Sequence, residues 1–106
     1  MVAALKPDLV AVRTTSLPEE IRRDFRVLCI ERDTSMEEET IRLIDAAVRR
    51  NAKLEDVGRV GSTQLNIRRI PRELKDAFKM LCQRRGVPME RALVKIIADE
   101  VGYEIN

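Results

Sequence analysis

Shifted by 53 residues, the chain aligns with itself without a gap: Val12 to Val48 falls on Leu65 to Val101. Ten of the 37 paired positions are identical: Pro18/Pro71, Glu20/Glu73, Phe25/Phe78, Leu28/Leu81, Cys29/Cys82, Arg32/Arg85, Met36/Met89, Glu37/Glu90, Ile44/Ile97 and Val48/Val101. Most other apolar positions keep the same register, as in Leu17 with Ile70, Ile21 with Leu74 and Ile41 with Val94. A hydrophobic register shared at a fixed offset marks a duplicated unit. In 106 residues the two copies have to build one core together.

Each copy has the same internal order. Val10, Val12 and Thr14, and then Leu65 and Ile67, alternate with polar residues, as in a half-buried strand. The alternation slips by one place before Leu17 and Ile70, leaving Ser16 and Arg69 as odd residues. Pro18 and Pro71 mark helix starts, because proline lacks an amide that would go unpaired there. Glu19, Glu20 and Glu73 suit the positive end of those helices. Ile21, Phe25 and Leu28, matched by Leu74, Phe78 and Leu81, give the first helix an apolar face, with Cys29 and Cys82 alongside. Asp33-Thr34 and Gly86-Val87-Pro88 end it, and Gly86 suits a left-handed cap. Ser35 and Glu38 fit a capping box for the second helix, which carries Met36, Ile41, Ile44 and Val48, matched by Met89, Val94, Ile97 and Val101. The expected organisation is one domain over residues 1–106, with a first motif at 10–50, a linker at 51–63 and a second motif at 64–102.

One strand and two short helices cannot pair their own strand edge or enclose a core. Two copies can, by pairing their strands antiparallel over four amphipathic helices. The expected fold is therefore mainly α with a two-stranded antiparallel ribbon, a pseudo-dimer within a single chain.

Composition narrows the chemistry. Aromatic residues are 3% of the chain, too few for stacking platforms on single-stranded nucleic acid. There is no histidine and no CxxC pair, so neither a metal nor a cofactor is expected. Nothing pairs a nucleophile with a base, so no enzymatic activity is expected. Cys29 and Cys82 read as buried structural thiols. No apolar run is long enough for a bilayer and no secretory core precedes the first strand, which predicts a cytoplasmic protein without a membrane partner. The net charge of +2 is unevenly spread: the aligned segments carry −3 in the first copy and +4 in the second. The second copy is the better surface for a polyanion.

The strand Gln64-Leu65-Asn66-Ile67-Arg68, the helix start Pro71-Arg72-Glu73-Leu74 and the turn Arg85-Gly86-Val87-Pro88-Met89 resemble the Arc/MetJ-type ribbon–helix–helix superfamily. The resemblance covers both repeats, about three-quarters of the chain. It implies that the ribbon enters the major groove of double-stranded DNA and that strand residues facing away from the core touch base edges. Those residues are Gln64, Asn66 and Arg68 in the second copy and Ala11, Arg13 and Thr15 in the first. Arginine can bond guanine bidentately, and asparagine or glutamine can do the same to adenine. Amides at the start of each second helix can hold phosphates. They point to Ser35 and Met36 in one copy and to Val87, Pro88 and Met89 in the other, with Pro88 itself lacking an amide hydrogen. Arg69, Arg72, Arg84 and Arg85 are further phosphate candidates. Glu37, Glu38 and Glu39 stand where the family's second helix meets phosphate and are expected to weaken that clamp.

Tandem single-chain forms resemble TraY-type and VirC-type DNA-transfer accessory proteins. That likeness implies an accessory role in plasmid or T-DNA transfer, with other DNA-processing proteins as partners. A transcriptional repressor or antitoxin-like autoregulator, and a protein–protein adaptor using the helical face, are the alternatives. The free protein is expected to be a monomeric pseudo-dimer, with further association on DNA left open.

Overall fold

The computed structural model describes residues 8–103. Its order is β1 (Leu9–Leu17), α1 (Glu19–Glu31), α2 (Met36–Arg49), β2 (Thr63–Pro71), α3 (Arg72–Arg85) and α4 (Met89–Val101). β1 and β2 form one two-stranded antiparallel sheet. This is the expected pseudo-dimer: four helices beneath a ribbon that takes one strand from each repeat.

Neither repeat has a core of its own. α1 packs on α4, α2 packs on α3 and β2, and α4 packs on β1, so the principal contacts cross between repeats. The fully buried side chains come from both copies, among them Phe25 and Phe78, Leu17 and Ile70, and Ile44 and Ile97. Burying a side chain of this size contributes about 1.5–3 kcal/mol. The ribbon therefore sits on a base to which every element contributes. Met36, Ile41, Val48, Leu74, Met89 and Val101 only half-enter this core. Leu28 lies at its margin, although its counterpart Leu81 is buried.

The break in strand alternation is a pair of β-bulges. Val10 pairs with Ile70 and Val12 with Ile67, so Ala11 faces two residues, Arg68 and Arg69. Thr14 pairs with Leu65 and Leu17 with Thr63, so Gln64 faces both Thr15 and Ser16. The odd residue in each copy is the bulge, which lets Leu17 and Ile70 return to the core face after the extra residue. The register is symmetric about the pair Arg13 and Asn66, aligned positions of the two repeats that stand opposite each other. A pseudo-two-fold axis passes through that pair.

The caps follow the chemistry of their residues. Pro18, Pro71 and Pro88 occupy N-cap positions, one place earlier than the first helical turn, with extended ψ between 134° and 139°. The Ser35 hydroxyl accepts the Glu38 amide at 3.0 Å. Gly86 closes α3 in the left-handed region, where a side chain would be strained. Residues 50–62 are more than a tether. Ala52 and Leu54 are buried, Arg91 pairs with Asp56, and Gly61 lies against the backbone of Leu17 and Pro18. No helix among the described residues is long and apolar enough to cross a membrane.

Candidate nucleic-acid interface

Alternation sends Val12, Thr14, Leu65 and Ile67 inward, and their neighbours outward. Ala11, Arg13, Gln64, Asn66 and Arg68 are exposed on the outer face of the ribbon, and Thr15 is half-buried at its edge. The six strand residues singled out from the sequence therefore share one surface, with Arg13 and Asn66 at its centre.

Two pairs of latches, matched across the pseudo-two-fold axis, hold this surface in shape. A bulge leaves backbone groups outside the ladder, and here a glutamate from the first turn of a second helix accepts the amide. Glu37 takes the Arg68 amide at 2.8 Å and Glu90 takes the Thr15 amide at 2.9 Å. Glu90 also accepts the Thr15 hydroxyl at 2.7 Å. The bonds from the Thr15 hydroxyl and amide hold the Glu90 carboxyl below its ordinary range, against the opposing effect of burial. The second pair caps strand carbonyls from below: Lys75 Nζ donates to Ala11 O at 2.8 Å, and Arg22 Nε donates to Gln64 O at 3.2 Å. Open hollows on the two sides of the ribbon bring Lys75 and Met89 beside Ala11 and Arg13, and Arg22 and Met36 beside Gln64 and Asn66.

Arg22, Lys75 and Glu90 were not among the residues expected at the interface. Position 22 aligns with 75 and both are basic, while Glu37 and Glu90 are identical, so the repeat did hold the signal. Glu37, Glu38 and Glu39 are not a bare acidic cluster. Glu37 binds the Arg68 amide, the Thr34 hydroxyl donates to Glu38 at 3.3 Å, and Glu39 is buried between Arg32 and Arg42. The Arg42 hydrogen bond, with help from Arg32, holds Glu39 below the usual carboxylate range despite its burial.

The phosphate candidates divide. Arg69 is exposed at its bulge and Arg84 is exposed in the last turn of α3. Met36 and Met89 begin α2 and α4, where the first amides have no acceptor within the helix. Ser35 uses its hydroxyl as a cap. The Val87 amide donates to Cys82 O at 3.0 Å and its side chain is buried. Pro88 caps α4 by accepting the Arg91 and Ala92 amides through its carbonyl. Arg85 is turned to the linker, where it donates to Ala52 O at 3.1 Å and Asn51 O at 2.8 Å. Arg72 pairs with Asp8.

No protein-family model, no curated protein and no solved structure matches the chain. Its likeness to ribbon–helix–helix proteins rests on the topology and on the residues already named.

Proposed function

We propose that the chain is a sequence-specific double-stranded DNA-binding protein that lays the β1–β2 ribbon in the major groove. The observation that carries this reading is the outward row Ala11, Arg13 and Thr15 beside Gln64, Asn66 and Arg68 on a two-stranded ribbon. A major groove about 12 Å wide admits such a ribbon, and these side chains match its donor and acceptor code. Lys75, Arg22, Arg69 and Arg84 supply the surrounding positive charge for phosphates. Thr15 adds a constraint of its own. Its hydroxyl hydrogen is given to Glu90, so the oxygen presents only lone pairs and favours a base donor, cytosine N4 or adenine N6.

The two strands differ at each aligned outward position, Ala11 against Gln64, Arg13 against Asn66 and Thr15 against Arg68. A true homodimer favours a palindrome, whereas this face favours a non-palindromic site and a fixed direction on DNA. Directionality suits an accessory factor that orients other proteins in DNA transfer or processing, and that is the role we favour.

Selection from a random duplex pool tests the reading. An enriched, non-palindromic motif is expected, with affinity falling steeply as salt rises. No enrichment, together with salt-insensitive association with a protein, would point to an adaptor instead.

A further inference from the structure

The end of the linker is a short bridge pinned at both sides. Asp56 fixes one side, accepting the Gly58 amide at 2.9 Å and pairing with Arg91 of α4. Gly61, against the backbone of Leu17 and Pro18, fixes the other. Between these points Val57 and Val60 pack on the core, and Gly58 turns the chain with a φ of 71°. Arg59 stands between the two valines and is exposed. The Glu90 carboxyl, held low chiefly by the Thr15 hydroxyl, is lowered further by the charge of Arg59, so the guanidinium lies near it. Glu90 is already engaged by the amide and hydroxyl of Thr15. Among the described residues Arg59 forms no ion pair.

We propose that Arg59 grips a DNA backbone phosphate, which makes the linker a third contacting segment beside the ribbon and the helices. This rests on the DNA-binding reading above. Thr15 is half-buried at the ribbon's edge, so a cation beside its partner Glu90 stands to the side of the base-reading row. A ribbon in the major groove meets sugar and phosphate at its sides and base edges beneath it. The guanidinium fork matches a phosphate and binds it through charge-assisted hydrogen bonds. The pinned bridge matters as much as the charge. An arginine on a fixed backbone gives up less freedom on binding than one on a loose tether. The aligned position of the first copy is also basic, Lys6, which lies outside the described residues. The linker thus has two roles: it joins the repeats, and it carries a cation to the edge of the ribbon where Thr15 stands.

Titration of the full chain against the duplex selected from the random pool, over roughly 50–200 mM salt, tests this. Arg59→Gln should lower the slope of log affinity against log salt by about 0.9, the value for one phosphate, so the wild-type advantage shrinks about 3.5-fold over that range. Arg59→Lys, which keeps the charge, should hold the slope near wild type. Base preferences should stay as they are, because phosphate contacts carry no sequence information. Ethylation interference should reveal one phosphate whose ethylation weakens the wild type and leaves Arg59→Gln unaffected. Arg59 is exposed, and thermal melts check that both variants fold. An Arg59→Gln chain with the wild-type slope and interference pattern overturns the proposal and leaves the DNA-binding reading standing. So does one that alters the preference at the base pair next to Thr15 without lowering the slope, since Arg59 would then act only through Glu90. A wild-type chain that enriches no duplex overturns the DNA-binding reading itself, and this proposal with it.

Discussion

Replacing Gly61 with alanine tests whether the linker is part of the fold. A Cβ built there lies 2.2 Å from Pro18 N and 2.4 Å from Leu17 C, against the roughly 3.5–4.0 Å at which carbon atoms rest. The obstacle is backbone at the junction of β1 and α1, so no side chain can swing aside. That junction is also tied to β2, because the Thr63 hydroxyl donates to Leu17 O at 2.6 Å. Overpacking costs about 1–3 kcal/mol, and an unyielding backbone places Gly61→Ala near the upper end. For a domain of this size about 3 kcal/mol lowers Tm by roughly 10–20 °C. Gly58 is the control: its φ is 71° and nothing lies within 4 Å of its added Cβ, so Gly58→Ala meets only the left-handed backbone cost of roughly 1–2 kcal/mol. Thermal and urea melts followed by circular dichroism measure both variants. If Gly61→Ala is no less stable than Gly58→Ala, the linker does not pack on the junction as described.

Arg68→Ala is expected to cost about 1–3 kcal/mol of binding and to relax specificity at one base pair, whereas Arg84→Ala should weaken all sequences alike and flatten the salt slope; both are read by titration against selected and scrambled duplexes. Glu90 is depressed in the folded state, so the stability it contributes is present above its unfolded value of about 4.3 and is lost as pH falls through the folded value. Glu90→Gln should accordingly flatten the acid limb of a stability-against-pH curve measured by urea melts. Burial pushes the Cys82 thiol up to about 11 and raises Cys29 as well, so both should resist a thiol reagent at pH 8 until denaturant is added, as absorbance kinetics can show. Sedimentation at micromolar concentration should find a folded monomer, because one chain supplies both strands and all four helices.

The repeat made the architecture readable, because an apolar register that recurs at a fixed offset leaves few ways to bury both copies. The outward row of the ribbon followed from period-two alternation, and even the bulges were visible as the phase slip at Ser16 and Arg69. What escaped were interactions that depend on chain crossing. That Glu90 would reach Thr15, 75 residues away, or that Lys75 would cap Ala11, follows only once α4 lies against β1 and α3 beneath it. The bond that the Val87 amide makes has a more local origin. A left-handed cap at Gly86 returns the next amide to the helix it closes, so the turn chemistry that fixed the helix end also used up the amide.

The covalent connection itself breaks the symmetry of the pseudo-dimer. Arg32 and Arg85 are identical residues at aligned positions, yet they have different partners. The linker leaves α2 on one side only, and there Arg85 finds the carbonyls of Asn51 and Ala52. On the other side Arg32 is met by Glu39 and Glu100, which Arg42 also joins. Each of those glutamates stands where the other repeat has a buried alanine, Ala92 for Glu39 and Ala47 for Glu100. A carboxylate as buried as Glu39 is tolerable only because two guanidinium groups hold it, and an alanine suffices where the linker already occupies the arginine. The chain whose Arg32 and Arg85 have different partners also differs along the ribbon at Arg13 and Asn66, where a homodimer would present one residue twice at its axis.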